Sequence, residues 1–195
     1  MRTSTVERAT TETRIQIRLT IEGRGEHDID TGCGFLDHML QLFARHGRFD
    51  LTVHCDGDTE VDYHHTVEDI GIALGDAFSK ALGDKAGIRR YADITLPMDE
   101  VLMLCAVDIS GRDYLGYAVE IPTQKVGNMD TELVKEFFLG FVRRADVTLH
   151  FREFAGENSH HIIEAMFKVF GRVMNQATSI DPEYKDEIPS TKGVL

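Results

Sequence analysis

Two segments of the chain carry the same histidine-rich motif at a fixed interval, and this repetition constrains the fold more than any other feature. The motif HHxxE reads HHTVE at residues 64–68 and HHIIE at residues 160–164, so the second copy begins 96 positions after the first. His54 and His150 keep the same interval, in the similar segments DLTVHC and DVTLHF. An internal repeat at a fixed interval indicates a duplicated structural unit. We therefore predict that the chain contains two copies of one unit.

The interval also predicts where the two copies lie. Residues 1–195 are expected to form a single domain made of two halves, about 1–93 and 94–186, and a C-terminal tail of about 187–195. The tail contains little apolar sequence and ends in IPSTKGVL, so it is expected to be a loop. Its STKG segment places a hydroxyl, an ammonium and a glycine together, and such a loop could close over an anion.

Each half shows the same order of segments, which predicts the fold class. Short β-branched or apolar runs indicate strands, and apolar residues at helical spacing indicate amphipathic helices. The predicted strands are RIQIRLTIEG and VLMLCAVDIS, then DLTVHC and DVTLHF. The predicted helices are GFLDHMLQLFARHG and TELVKEFFLGFVRRA, then the two segments that begin with the HH pairs. This order predicts an α+β fold with helices packed on one face of each sheet.

Composition excludes several classes of partner. The chain has 33 acidic and 21 basic residues and a formal net charge of −12, which disfavours a nucleic-acid backbone and an anionic membrane surface. Three cysteines without a CxxC pair indicate free thiols in a reducing compartment. No secretory signal or membrane span is evident, so we expect a cytoplasmic protein.

The geometry of a helix restricts how the HH pairs can bind metal. His64 and Glu68 are four residues apart and share a helix face, whereas His65 points about 100° away from His64. Both histidines of a pair can therefore be ligands only if they serve different ions. The two helices could face each other within one subunit or between subunits. That arrangement predicts one site with His64, Glu68 and His161 and another with His160, Glu164 and His65.

The other helix of each half supplies a further candidate ligand. His38 lies in GFLDHML, and Glu136 lies in its counterpart VKEFF. Mixed imidazole and carboxylate ligands suit Mn²⁺, with Zn²⁺ or Fe²⁺ as alternatives. A single HH pair more often consists of surface polar residues, but its repetition favours metal. His54 and His150 lie on predicted strands and are interpreted as packed or hydrogen-bonded structural residues.

These motifs together resemble the imidazoleglycerol-phosphate dehydratase family. The resemblance extends from Glu12 to Leu195 through TETRI, TGCGFLDHML, DYHHTVEDIGIALG, GIRRY, PMDE, DISGR, GENSHHIIEAMFK and IPSTKGVL. It implies two pseudo-repeated βαβ-type halves, like the second domain of a ribosomal small-subunit protein. It also implies a homo-oligomer of twenty-four subunits, with two Mn²⁺ ions per active site at subunit boundaries.

The resemblance also implies roles for individual residues. The residues that match metal ligands are His38, His64, His65, Glu68, His160, His161 and Glu164. Glu12 matches a residue at the reacting carbons of the substrate and is the candidate general acid/base. The other residues that match substrate contacts, mainly around the phosphate, are Arg90, Arg112, Lys168, Ser190 and Lys192. Where many members of the family have histidine, this chain has Glu136, whose carboxylate can still bind Mn²⁺.

The reaction implied by the resemblance belongs to histidine biosynthesis. Water is eliminated from D-erythro-imidazoleglycerol phosphate to give imidazole acetol phosphate, via a metal-bound imidazolate that can expel the hydroxyl group. One alternative is a two-metal phosphate-ester hydrolase, which would use the same ligands and release orthophosphate. A second is a non-catalytic shell protein whose metal ions serve only assembly.

Overall fold

The computed structural model describes all 195 residues, which form four long helices and ten strands. The helices are α1 (Gly34–Gly47), α2 (His64–Leu82), α3 (Leu133–Ala145) and α4 (Ser159–Thr178). The strands of the first half are β1 (Thr3–Ala9), β2 (Thr13–Thr20), β3 (His27–Asp30) and β4 (Asp50–Gly57). Those of the second half are β5 (Tyr91–Met98), β6 (Val101–Asp108), β7 (Tyr114–Ala118), β8 (Lys125–Val126), β9 (Met129–Asp130) and β10 (Thr148–Ala155).

Two four-stranded sheets of the same topology confirm the duplicated α+β fold. Their strand orders are β1-β2-β4-β3 and β5-β6-β10-β7, and β8 and β9 form a separate small hairpin. In each sheet one strand runs parallel to its neighbour and is joined to it by a crossover helix, α1 between β3 and β4 and α3 between β7 and β10. Strand β2 shows why the helices cover only one face of the sheet. Its apolar residues Ile15, Ile17 and Leu19 point to one face and are buried, whereas the residues between them point to the other face and are exposed.

The helices lie between the two sheets. Helices α1 and α2 pack on the first sheet, and α3 and α4 pack on the second. The helical layers then pack on each other, with α1 against α4 and α2 against α3. One aromatic ring from each helix meets near the centre, where Phe43 stacks on Phe170 at 4.8 Å and Phe78 lies 5.7 Å from Phe141. The two halves therefore share one hydrophobic core.

Two helical glycines set the close approach of the helix pairs. A Cβ atom on Gly75 of α2 would lie 2.5 Å from the Phe141 carbonyl oxygen of α3, and one on Gly171 of α4 would lie 2.6 Å from the Phe43 carbonyl oxygen of α1. The two contacts are equivalent under the internal repeat. Within each pair the two helices run parallel to each other. In the α1–α4 pair the first turns of both helices also meet, with the Phe35 and His160 rings 5.2 Å apart.

The interval between equivalent residues differs from element to element. Thr3 pairs with Thr20 in the first sheet and Tyr91 with Asp108 in the second, an interval of 88 positions. Strands β4 and β10 begin at Asp50 and Thr148, an interval of 98 positions. The HH motifs keep the interval of 96 because the connection before α4 is two residues shorter than the one before α2.

The prediction that His54 and His150 are equivalent is therefore wrong. With an interval of 98, His54 of β4 corresponds to Arg152 of β10. Both histidines are also exposed and not packed in the core. The His54 Nε2 atom lies 3.1 Å from Asp28, and His150 lies beside the ring of Tyr114. Their shared spacing from the HH motifs comes from loop length.

The predicted tail has no helix or strand, as expected for a loop. The first half ends with α2 at Leu82 and β5 begins at Tyr91, so the predicted boundary near residue 93 lies just inside β5. The α1 helix ends at Gly47 as predicted, but the left-handed residue that follows is Arg48. The three cysteines are free. No helix combines the length and apolar character needed to cross a bilayer.

Candidate active site

One group of candidate ligands is assembled within a single chain. Side-chain ligand atoms of His38, His160 and Glu164 lie within 4.8 Å of one another. His160 and Glu164 are one turn apart on α4, with Nε2 and Oε2 separated by 3.4 Å, and α1 brings His38 to the same point. Two imidazoles and a carboxylate form a donor set that suits Mn²⁺, Zn²⁺ or Fe²⁺. The residues present therefore fit a divalent transition metal.

The start of α4 is fixed by a side-chain cap. The Asn158 carboxamide oxygen accepts hydrogen bonds from the backbone N–H groups of His160 at 2.9 Å and His161 at 3.3 Å. Such a cap satisfies donors that the first helical turn leaves unpaired. It also holds both histidines of the second HH pair at a defined position on the helix.

The corresponding group on the other helix pair is more open. His64 Nε2 lies 3.6 Å from Glu68 Oε2, but no third ligand atom of the same chain joins them within 4.8 Å. Glu136 occupies the position on α3 that His38 occupies on α1, since the two helices follow the 98-residue interval. Arg143 lies 3.8 Å from the second oxygen of Glu68.

The second histidine of each HH pair is oriented by a carboxylate. The Nδ1 atom of His65 lies 2.9 Å from Asp58, and that of His161 lies 2.9 Å from Glu100. These hydrogen bonds raise the pKa of both histidines, and the bond from His161 holds the pKa of Glu100 at about 2. A carboxylate on Nδ1 fixes the tautomer that leaves Nε2 free as a ligand.

Glu12 lies in the tight turn between β1 and β2, beside the first HH pair. Its Oε1 atom is 3.6 Å from Nε2 of His65. The turn is tied to α2 because the buried carboxylate of Asp69 accepts hydrogen bonds from Thr13 at 2.5 Å and Arg8 at 2.8 Å. Glu12 is therefore an exposed carboxylate on a fixed support, next to a candidate metal ligand.

Four of the predicted substrate-binding residues line one cavity of about 850 Å³ between the tail and the second sheet, namely Arg90, Arg112, Ser190 and Lys192. Arg90 bonds Asp108 at 2.7 Å and the Pro189 carbonyl oxygen at 2.7 Å, which anchors the tail. This cavity, the tail cleft, concentrates cations in an acidic chain and suits a phosphate group.

The remaining predicted phosphate contact, Lys168, does not line the tail cleft. Its Nζ atom is 2.6 Å from Glu164, so it adjoins the group of His38 and His160. Burial by itself would raise the pKa of Glu164, but Lys168 and His160 bring that pKa below its ordinary value. Within one chain the predicted site residues therefore fall into separate places.

The predicted ligand pairings across the HH helices are not assembled within one chain. The packing partner of α4 is α1, and that of α2 is α3, so the two HHxxE helices do not face each other inside the subunit. His38, and not His65, completes the group of His160 and Glu164. Pairing of the two helices between subunits stays a prediction.

Sequence reasoning missed Asp58 and Glu100. Neither lies at helical spacing from the histidine that it contacts, because Asp58 follows β4 and Glu100 lies in the turn between β5 and β6. One signal was available for Glu100. The 88-residue interval of the hairpins makes it the counterpart of Glu12, so both hairpin turns present a glutamate to an HH pair.

Comparisons with known proteins identify the family of the chain. A model of the family described as "Imidazoleglycerol-phosphate dehydratase" matches residues 31–174. The protein of that name from Pelobacter propionicus is 57% identical over 100% of this chain and 99% of its own, and that from Heliobacterium modesticaldum is 54% identical over 100% of both.

Solved structures give the same result for the fold. The crystal structure of imidazoleglycerol-phosphate dehydratase from Staphylococcus aureus has a TM-score of 0.84 and 38% identity, and covers 92% of this chain and 99% of its own. The enzyme from Pyrococcus furiosus, in complex with (S)-C348, has a TM-score of 0.84 and 36% identity over 97% and 100% of the two chains. The chain belongs to the imidazoleglycerol-phosphate dehydratase family.

Proposed function

We propose that the protein is a hydro-lyase of histidine biosynthesis that removes water from D-erythro-imidazoleglycerol phosphate to give imidazole acetol phosphate. The observation that carries the proposal is the convergence of His38, His160 and Glu164 in a chain of this family. The substrate offers an imidazole ring and a phosphate group. The chain offers a group of metal ligands and, apart from it, the cationic tail cleft.

Two Mn²⁺ ions per active site are the proposed cofactors. Bound there, they would supply Lewis acidity and a template for the imidazole ring. His38, His160 and Glu164 would hold one ion, and His64, Glu68 and Glu136 are the matching set on the other helix pair. His65 and His161 would each complete the set of a neighbouring subunit, since their Nε2 atoms point away from the carboxylates that hold Nδ1.

The chain's own residues account for proton transfer and substrate binding. Glu12 would exchange protons with the hydroxyl and the carbon of the glycerol chain, as a general acid/base. Its position beside His65 supports this role, since His65 would be a ligand of a metal ion that holds the ring. Arg90 and Arg112 would bind the phosphate through their planar guanidinium groups, and Ser190 and Lys192 would add a hydroxyl and a point charge.

The separation of these groups supports a site shared between subunits. The tail cleft and Lys168 are both expected to contact the phosphate, yet they lie apart in one chain. We therefore propose a homo-oligomer, of twenty-four subunits by the family resemblance, whose active sites lie at subunit boundaries. The net charge of −12 favours a small-molecule substrate over nucleic acid or a membrane, and the cytoplasm is the proposed location.

The test is a direct product assay with the Mn²⁺-loaded protein. Imidazole acetol phosphate is expected as the product, and orthophosphate as the main product would instead identify a two-metal hydrolase. Glu12→Gln should lower kcat by about 10²–10⁴-fold, the range for loss of a general acid/base. Metal content and subunit number should not change. Glu7→Gln, which alters another exposed glutamate of the same hairpin, is the matched control. Unchanged turnover in Glu12→Gln would contradict the assigned role.

A further inference from the structure

A second cationic cavity lies outside the residues assigned to metal or substrate. It has a volume of about 500 Å³ and is lined entirely by glycine and basic residues, namely Gly23, Arg24, Arg45, His46, Arg48 and Arg172. These residues come from the loop after β2, the end of α1 and the last turns of α4. We call the four arginines with His46 the cationic cluster.

The arginines of the cationic cluster have no carboxylate partners. The ion-paired arginines of the chain are Arg2, Arg8, Arg90, Arg112, Arg143 and Arg144. None belongs to the cluster, although acidic residues outnumber basic ones by 33 to 21. The nearby carboxylate of Asp50 is occupied by the backbone N–H groups of Arg24 and Glu26. The four arginines of this cavity therefore form no ion pair within the chain.

The internal repeat shows that the fold does not require this charge. At the equivalent end of the other helix pair, Asp76 takes the place of Arg172 and Asp146 takes that of Arg48. There the Arg144 guanidinium donates to Asp76 at 2.8 Å. The same helix packing thus accommodates a neutral ion pair at the end of the α2–α3 pair and only cations in the cavity at the end of the α1–α4 pair.

The helix dipole explains part of the cluster but not all of it. Cations near a helix C-terminus are favourable, and Arg45 and His46 lie in the last turn of α1. Arg24 lies in a loop, and Arg172 lies two turns before the end of α4, so neither is itself in the last turn of a helix. Burial and then the charges of Lys168 and Arg172 lower the pKa of His46, in agreement with a positive local potential.

We infer that the cationic cluster is a second anion-binding site, which takes a phosphate- or sulfate-sized oxyanion. Several guanidinium groups around one concave, polar cavity can donate charge-assisted, paired hydrogen bonds to such an anion. The site is separate from the tail cleft, because it shares no lining residue with it. Arg172 lies four residues after Lys168 on α4, a rise of about 6 Å along the helix axis, so the occupant of the cluster would be a neighbour of a phosphate group bound at Lys168.

The experiment is a titration of the assembled, metal-loaded full-length protein with inorganic phosphate, monitored by calorimetry at low ionic strength. Two classes of site are expected. The double variant Arg45→Ser/Arg172→Ser should weaken one class by about tenfold or more, since charged hydrogen bonds are removed. Arg90→Ala should weaken the other class, in the tail cleft. Sulfate should compete for the cluster, whereas chloride at equal ionic strength should not.

The control is Arg144→Ser, which removes one positive charge from the end of the other helix pair. It should leave both phosphate affinities unchanged. The inference is overturned if the double variant binds phosphate like the wild type, or if Arg144→Ser and chloride have effects as large. It is also overturned if the double variant changes subunit number with phosphate affinity intact, since the cluster would then be an interface. Because the titration measures phosphate binding and not turnover, it can fail while the proposed dehydratase activity holds.

Discussion

The α1–α4 and α2–α3 helix pairs share one backbone design but differ at both of their ends. In each pair, a glycine of the second helix of one half lies against a phenylalanine carbonyl of the other half, at Gly171 and Gly75. At the N-terminal end, α1–α4 closes a ligand group within the chain, whereas α2–α3 leaves His64 and Glu68 without a third ligand.

The C-terminal ends differ in charge. The α2–α3 end is neutralised by the Arg144–Asp76 ion pair, and the α1–α4 end carries the cationic cluster. The contacts of Gly75 with Phe141 and of Gly171 with Phe43 are matched because they have to fit the same packing. Residues at the open ends face solvent or another molecule, so packing does not determine them. The differences between the ends of the two helix pairs therefore point to function, and each can be tested by substituting matched positions.

The largest effects are expected from the ligand histidines. His160→Asn should abolish the tighter of two Mn²⁺ binding phases, since its group is assembled within the chain, and His64→Asn should abolish the weaker one. Each should lower activity by more than about 10²-fold, because loss of groups that merely orient metal ligands already costs 10–100-fold. Metal content and Mn²⁺ titration give the measurement.

His54→Asn is the control for both, as it removes an exposed strand histidine that joins no ligand group. Active protein without a bound transition ion would contradict the metal assignment. If His160→Asn and His64→Asn lost the same Mn²⁺ binding phase, the ligand groups of the two helix pairs would not differ in Mn²⁺ affinity.

The next effect concerns the carboxylates that orient His65 and His161. Asp58→Asn and Glu100→Gln should each lower Mn²⁺ affinity by about 10–100-fold. In the metal-free protein, each should also bring the raised pKa of its own histidine back toward the ordinary value. NMR titration of the metal-free protein measures the pKa, and Asp56→Asn, an exposed neighbour on β4, is the control.

The sign of the pH dependence follows from the direction of these shifts. A raised histidine pKa favours folding below the ordinary pKa, and that contribution is lost as pH rises through the raised value. Metal binding needs the neutral imidazole, so Mn²⁺ affinity should fall as pH falls through the raised pKa. A pKa of His65 that does not change in Asp58→Asn would show that this carboxylate does not hold the ring in solution.

The sequence predicted the duplication, the four helices and the face of α4 that carries His160 and Glu164, because each depends on local spacing. It did not predict strands β1, β3, β5 and β7, whose segments are short or polar. It could not reveal that α4 packs on α1, since partner choice depends on how both sheets place their helices.

The site was predictable to the same extent. Ligands at helical spacing were found, whereas Asp58 and Glu100 approach their histidines from loops whose paths depend on the tertiary fold. The mistaken match of His54 with His150 has a related origin. A search at the single interval of 96 residues could not detect that the loop before α4 is two residues shorter, so that the strands follow an interval of 98. The cationic cluster comes from three separate segments and has no sequence signature.

A smaller effect is expected from the glycines that set the helix spacing. Gly75→Ala and Gly171→Ala should each lower the free energy of unfolding by about 1–3 kcal/mol, the usual cost of overpacking, because a rigid carbonyl oxygen stands where the methyl group would be. Urea unfolding at one protein concentration measures it. Gly34→Ala, at a helical position with nothing within 4 Å, should be neutral or slightly stabilising. Equal results at all three positions would refute the packing argument.

The smallest effect, and the one that distinguishes the helix ends by sign, concerns Asp76 and Arg172. Asp76→Ala breaks an exposed ion pair and should destabilise the protein by about 0.2–1 kcal/mol. Arg172→Ala removes a cation that has no ion-pair partner and shares its cavity with other cations, so in a buffer without oxyanions it should be neutral or slightly stabilising. Salt should reduce both differences, since exposed charges are screened. Added phosphate should stabilise the wild type more than Arg172→Ala, because an anion bound only by the folded chain shifts the folding equilibrium. If both substitutions destabilise equally in every buffer, the two helix ends do not differ in electrostatic role.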